Sequence, residues 1–316
     1  MLAGFWNPGY HVGILGWHPL DQSGEARGGV SVQRGTIGVV GLGLLGSAIV
    51  ERLVAVGFLV FGYDIDPARM DSLEKAGLRR AQSPGALAAD VDHVLLCLPD
   101  SDVVAAVVSQ MGRLLRPGHV VVDTTTGDPA ASLAVAQTLA HDGVDYLDAT
   151  VGGSSSMARN GQAIAMVGGR RSVFQDCQDL LSSFARQSFY LGSWGSGARM
   201  KLVFNLVLGL NRAALAEGLA LAGRLGLDQV QALEVLASSA TYSRAMDSKG
   251  RKMIDGDFTP EARLSQHLKD VGLILASGER DGAKLPLSAL HRELLQRLAD
   301  AGLGDADNCA IIEAFK

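Results

Sequence analysis

Cysteine is scarce in this chain. Its 316 residues hold three, Cys97, Cys177 and Cys309, an odd number, far apart and without a CxxC pair. Free thiols in a reducing cytoplasm fit that pattern better than a disulfide framework. The seven histidines show no HExxH-type spacing, so no metal site is expected. An excess of basic residues is also lacking. Lys and Arg number 28 against 33 Asp and Glu, giving a net charge of −5. With no Lys/Arg run, neither nucleic acid nor an anionic membrane is expected as a partner. No apolar run is long and clean enough to read as a membrane span. What is present is a globular composition, 47% hydrophobic and 19% charged, at a length that favours two domains over one core.

Residues 1–33 begin "MLAGFWNPGYHVGILGWHPLDQSGEARGG". They lack the basic start and apolar centre of a signal peptide and have no helical periodicity, so they are expected to be an extension outside the fold. Two textures follow. Up to about Gly192, short β-branched runs alternate with helical patterns. "TIGVV", "FLVFGY", "HVLLCLP", "HVVVDTT", "DYLDATV" and "AIAMVGG" read as strands, with Gly46–Val56 and Ala130–His141 among the helices between them. That alternation predicts an α/β fold, a doubly wound, mainly parallel Rossmann-type sheet over residues 34–194. From Gly195 the β texture stops. Residues 195–316 read as an all-helical domain, with breaks at Gly226, "TYSRAMDS", "DGDFTP" and Lys284–Pro286.

The first strand runs into "GLGLLGSAIV". Gly41, Gly43 and Gly46, with Leu42, Leu44 and Leu45 between them, form G-x-G-x-x-G in a strand–turn–helix setting. The first glycine allows the tight turn, the second the approach of a pyrophosphate, and the third the packing of helix on strand. The helix N-terminus then offers free N–H groups to phosphate. Asp64 ends the next strand, where an acidic side chain can bind ribose hydroxyls. A glycine turn in some other α/β protein is the competing reading. A carboxylate at Asp64, with Asp66 nearby, repels a 2′-phosphate, so NAD is expected over NADP. Arg69, the one nearby cation, is expected to turn outward.

"GSGARMKLVFN" places Lys201 at the start of a long apolar helix, with Asn205 one turn later on the same face. A lysine snorkelling its amine to solvent is the ordinary explanation. The chemical alternative is a general base. Hydride transfer from an alcohol to a nicotinamide requires a group that takes the hydroxyl proton. Burial and nearby positive charge, such as that of an oxidised nicotinamide, would lower the lysine pKa into a useful range.

Together these segments resemble the β-hydroxyacid dehydrogenase family, which includes 3-hydroxyisobutyrate dehydrogenase and tartronate semialdehyde reductase. The resemblance runs from about Thr36 to Lys316. "GLGLLG" is similar to the family's cofactor loop. "CLPDSD", with Leu98 and Pro99, and "VVDTTTGDP", with Thr126, are similar to the loops lining the nicotinamide. "GSGARMKLVFN" matches G-x-G-x-x-x-K-x-x-x-N, "HLKD" the K-D pair, and "GLGDADNCAII" the C-terminal tail. The resemblance implies Lys201 as general acid/base with Asn205 beside it, and Lys269 near the nicotinamide. It also implies a homodimer or homotetramer built through the helical domain. The first helix of that domain is apolar on more than one face and needs cover on several sides. The implied substrate is a small hydroxy acid or its semialdehyde.

"DATVGGSSSMARNG" stands where the family has D-A-P-V-S-G-G-x-x-G-A-x-x-G. Thr150, Gly152, Ser154 and Met157 depart from that pattern. The substrate acid is expected on the Gly152, Gly153 and Ser154 backbone, with Lys201 and Asn205 facing it. Either the missing hydroxyl and Cβ at Gly152 widen the pocket, so that a sulfonate or phosphonate fits, or Ser154 or Ser155 supplies a displaced hydroxyl. A plain Gly/Ser turn is the bland alternative. Outside this chemistry, a non-catalytic dinucleotide-binding scaffold would not need Lys201 or Asn205, and imine reductases of similar architecture usually lack the lysine. Ser243 is expected to cap a helix.

Overall fold

The computed structural model describes residues 34–316; the expectation for the N-terminal extension lies outside them. Eight strands form one sheet: β1 (Thr36–Val40), β2 (Leu59–Tyr63), β3 (Arg79–Arg80), β4 (His93–Leu96), β5 (Val120–Asp123), β6 (Asp145–Gly152), β7 (Ala163–Gly169) and β8 (Ala185–Gly192). Their order is β3-β2-β1-β4-β5-β6-β7-β8. All neighbours are parallel except β6 and β7. The helices of this half are α1 (Leu44–Ala55), α2 (Pro67–Glu74), α3 (Pro84–Asp90), α4 (Ser101–Met111), α5 (Pro129–His141), α6 (Ser155–Arg159), α7 (Arg171–Asp176) and α8 (Gln178–Phe184).

Local chemistry sets several helix starts. Asp66, Ser83 and Asp128 each precede a proline, and each side chain accepts a backbone N–H two or three residues on. The side chain fills an orphan donor while the proline presets φ. The inner strands are nearly continuous buried Val, Leu and Ile, as a sheet covered on both faces requires. β3 and β8 were not among the strand-like runs. β3 is two exposed arginines, and β8 is an edge strand with half of its residues exposed.

The chain proceeds outward through β2 and β3, then crosses back to place β4 on the other side of β1. That reversal opens a crevice beyond the carboxyl ends of β1 and β4, the usual ligand position in such sheets. After β8 come α9 (Ser196–Arg224), α10 (Gln229–Ala237), α11 (Arg251–Asp255), α12 (Leu264–Arg280) and α13 (Pro286–Leu298), then a 3-10 turn at Asn308–Phe315. α9 is long and apolar enough to cross a membrane by length and composition. In this fold it is a strut: it packs on β6 and β7, then against α12, α13 and the C-terminal turn.

Candidate active site

The turn after β1 is tightly constrained. Gly41 has φ +90°, and a Cβ there would lie 2.3 Å from the Cys97 carbonyl oxygen. A Cβ on Gly46 would lie 1.9 Å from the Gly41 carbonyl oxygen. Gly43 is different, since a Cβ there would meet only Arg69 Nη1, at 3.7 Å. One side of the loop is thus open where α1 begins without a side-chain cap. Leu42 is buried below the loop, Leu45 half-buried, and Leu44 faces out. The buried Asp64 ties this loop to β2: Leu42 N donates to its Oδ2 at 2.6 Å and Asp66 N to its Oδ1 at 2.9 Å. Arg69 does not turn outward. Its Nη1 lies 3.3 Å from Asp64 Oδ2 and its Nε 3.4 Å from Asp66. Two carboxylates, five and three residues before it on the chain, draw the guanidinium in over the loop.

Leu98 and Pro99 follow β4, and Thr126 follows β5. The two loops are stitched together, with Leu98 N donating to Thr125 Oγ1 at 3.1 Å and Thr125 N to Asp123 Oδ1 at 2.9 Å. Lys269, on α12, reaches across to them. Its Nζ donates to the Pro99 carbonyl at 2.6 Å and to the Thr126 carbonyl at 2.9 Å. Residues far apart in sequence therefore meet at the mouth of the crevice.

α9 starts on the buried Asp148 of β6, whose two oxygens accept Gly195 N and Ala198 N, each at 2.8 Å. Burial lifts this carboxyl to about 6, against the pull of those backbone donors. Gly197 is held so close that a Cβ would lie 2.4 Å from the carbonyl oxygens of both Asp148 and Met166. This seat fixes the register of the next turn, where Lys201 is only 9% exposed. It does not snorkel. Its Nζ donates to the Val151 carbonyl at 2.7 Å and sits 5.0 Å from the centre of the Phe204 ring. Burial lowers its pKa to about 8; Asp270 opposes that shift and Lys269 adds to it. Asn205 Nδ2 donates to Asp270 Oδ2 at 2.9 Å. From the sequence, Asp270 is only the acidic half of the K-D pair, without a site role, and the Val151 carbonyl is not foreseen. The K-D adjacency was the available signal for the first; a backbone acceptor leaves none.

The substrate-loop expectations need correction. A Cβ on Gly152 would lie 2.8 Å from Ile164 Cγ1 and 3.2 Å from Phe204 Cζ. The space on the Cβ side of Gly152 is therefore filled, and the room expected there from its missing side chain is not present. Ser154 caps α6, accepting Met157 N at 3.2 Å, a bond that uses its oxygen as acceptor and leaves its O–H to donate. Thr150 directs its hydroxyl to the Gly197 carbonyl at 3.1 Å and braces α9. Gly153, at φ +131°, carries the turn between these positions. The Ser243 hydroxyl is buried with no hydrogen-bond partner, so it is not a cap. Among the described residues, no cluster of His, Cys, Asp or Glu could hold a metal ion.

The crevice fits a nicotinamide dinucleotide. The open face at Gly43, the uncapped start of α1 and the Asp64 carboxylate are the groups that could hold its pyrophosphate and ribose. Comparison with known proteins agrees. Residues 36–192 match the NAD-binding domain of 6-phosphogluconate dehydrogenase, and residues 195–315 match the NAD-binding region of NADP-dependent 3-hydroxyisobutyrate dehydrogenase. The 2-(hydroxymethyl)glutarate dehydrogenase of Eubacterium barkeri is 32% identical over 284 residues, 89% of this chain and 94% of that protein. Glyoxylate/succinic semialdehyde reductase 1 of Arabidopsis thaliana is 30% identical over 283 residues, 89% of this chain and 98% of that protein. Among solved structures, the Mycobacterium tuberculosis 3-hydroxyisobutyrate dehydrogenase with L-serine superposes with a TM-score of 0.82 at 26% identity, covering 89% of this chain and 99% of that one. On these matches and the fold that carries them, the chain belongs to the β-hydroxyacid dehydrogenase family and is a nicotinamide-dinucleotide-dependent oxidoreductase.

Proposed function

We propose that this enzyme interconverts a small 3-hydroxy acid and its semialdehyde, with NAD as the preferred cofactor and Lys201 as general acid/base. The observation that carries this reading is the buried Lys201 amine, held by the Val151 carbonyl at 2.7 Å with a pKa of about 8. Bound oxidised nicotinamide supplies the hydride acceptor. The chain's own part is proton handling. Above pH 8 the amine is largely neutral and takes the hydroxyl proton as the alcohol is oxidised. Below it the ammonium returns that proton to the carbonyl oxygen in reduction.

Substrate class follows from charge and size. Lys269 makes this end of the crevice positive, and the Gly152–Gly153–Ser154 backbone offers N–H groups to an acid. Because Ile164 and Phe204 fill the side of Gly152, a carboxylate suits this end better than a bulkier group. The relatives' named substrates, 2-(hydroxymethyl)glutarate, succinic semialdehyde and 3-hydroxyisobutyrate, are all carboxylates and define the panel to test. Asp64 supports NAD, because a 2′-phosphate would meet its charge and that of Asp66. Arg69, drawn to Asp64, partly offsets this repulsion.

We assign cofactor binding to residues 34–194, and Lys201 and subunit contacts to residues 195–316. The outer face of α9, where Val203 and Val207 are half-exposed or more, supports a homodimer or homotetramer. The three free cysteines favour a cytoplasmic setting.

The test is steady-state oxidation of 3-hydroxyisobutyrate, 2-(hydroxymethyl)glutarate and L-serine with each cofactor. The expected result is turnover of at least one, with kcat/KM roughly tenfold or more in favour of NAD. Asp64→Asn should narrow that ratio by freeing Arg69 for a 2′-phosphate. A wild-type preference for NADP would overturn the cofactor reading, and failure to oxidise any hydroxy acid would overturn the substrate class.

A further inference from the structure

The two ends of the Asn205 amide are chemically opposite, and its neighbour decides which end faces where. Asn205 Nδ2 donates to Asp270 Oδ2 at 2.9 Å, and both side chains are buried. Burial raises the Asp270 carboxyl, while Lys269, Lys201 and the Asn205 amide favour its ionised form; ionised, it only accepts hydrogen bonds. Asp270 therefore takes the NH2 end and leaves the carbonyl oxygen of Asn205 for its other neighbours. Lys201 lies one turn earlier on the same face of α9.

That choice matters for a lysine acting as a base. A neutral amine has two N–H bonds and one lone pair. One N–H is already given to the Val151 carbonyl. If Asn205 offers its oxygen, it can accept the second N–H, and the lone pair is left for the substrate hydroxyl. If Asn205 were flipped, its NH2 would donate into that lone pair and compete with the substrate.

Asp270 is also expensive for the fold. Its Oδ1 is buried without a hydrogen-bond partner, and Lys269 Nζ, 3.6 Å away, is already taken by two carbonyls. A half-satisfied buried carboxylate costs more than an apolar side chain would, which points to a role beyond packing. The charges around it are Lys201 and Arg212 from α9, Lys269 on its own helix, and His267 one turn before it. His291 of α13 packs on His267 with ring centres 5.2 Å apart. Burial and the adjacent Arg212 keep both imidazoles low and neutral. Asp270 is thus the acidic group that acts on Lys201, opposite in sign to Lys269.

We propose that Asp270 is a positioning residue: it fixes the Asn205 amide with its oxygen towards Lys201, so that the lysine lone pair faces the substrate hydroxyl, and it supplies the negative charge that balances Lys269. The proposal rests on Lys201 being the acid/base. In the oxidation it serves, the substrate O–H breaks and its proton goes to Lys201 Nζ, while the hydride leaves carbon for the nicotinamide.

The experiment compares Asp270→Asn with the exchanged pair Asn205→Asp/Asp270→Asn. Lys201→Ala serves as control, and circular dichroism checks folding. The reaction is NAD-linked oxidation of whichever of 3-hydroxyisobutyrate, 2-(hydroxymethyl)glutarate and L-serine is turned over fastest. Asp270→Asn should lower kcat about tenfold or more with KM nearly unchanged, and move the rising limb of the pH profile down by roughly one unit. The exchanged pair keeps the hydrogen bond and the charge count, so a purely structural role predicts recovery. The positioning role predicts that kcat stays low and the limb moves up, since the carboxylate now adjoins Lys201. The pH dependence of Lys201 labelling by fluorodinitrobenzene, followed by peptide mass, reads the same midpoint without substrate and should move in the same two directions. Unchanged midpoints, or recovery in the exchanged pair, would overturn the role of Asp270. Full turnover by Lys201→Ala would instead overturn the acid/base reading.

Discussion

Lys201 is useful to the reaction because it is uncomfortable in the fold. Burial takes its pKa from 10.5 to about 8, which corresponds to about 3 kcal/mol disfavouring the charged form. Between those two values the unfolded chain binds more protons than the folded one, so this contribution to stability rises with pH across the window. Below pH 8 the penalty is felt in full. Lys201→Met should therefore raise Tm at pH 7 by roughly 2–5 °C, and by less at pH 10. The loss of the Val151 hydrogen bond keeps the gain modest. Thermal melts at the two pH values check it, and a lower Tm for the variant at pH 7 would contradict the burial account. The lysine was legible in the sequence because a charge opening an apolar helix needs a reason and its flanking pattern supplied one. The direction of Arg69 was not. Helical spacing says which face a residue lies on, but not that Asp64 and Asp66 pull its guanidinium back across the loop.

At the scale of elements, the β6–β7 pair carries a lesson about glycine. Gly152 reads in sequence as room, since it lacks a side chain. In the sheet its vacant side is occupied by Ile164, its partner across the antiparallel register, and by Phe204 from α9. Gly152→Ser should destabilise by about 1–3 kcal/mol through overpacking, lowering Tm and turnover together. Gly152→Ser/Ile164→Ala should recover much of the Tm. A Gly152→Ser protein as stable as wild type would mean that the space is open after all. Six strands were legible because β-branched runs mark buried strands. The two missed ones lie at the sheet edges, where exposure removes the hydrophobic pattern. The seat of α9 on Asp148 was half visible. The acidic residue stood in the motif, but nothing in the local pattern said that it would cap a helix 47 residues on.

For the molecule as a whole, α12 joins the helical region to the crevice. Lys269 holds the Pro99 and Thr126 loops near one end of the helix, and Arg280 pairs with Asp128 at 3.2 Å at the other. Lys269→Ala should weaken NAD binding roughly tenfold, because two charge-assisted hydrogen bonds that shape the nicotinamide loops are lost. Titration of NADH fluorescence measures this, and an unchanged Kd would remove Lys269 from the cofactor site. Crevice, loops and α12 converge on a single amine, so the most direct test of the account is Lys201→Ala in the full chain. NADH binding and kcat for hydroxy-acid oxidation should be measured side by side across pH 6 to 10. The prediction is a Kd for NADH close to wild type and a loss in kcat of about 10²-fold or more. The wild-type limb near pH 8 should be absent from the variant. A variant that kept both the wild-type rate and that limb would contradict the assignment of Lys201 as the group that moves the proton.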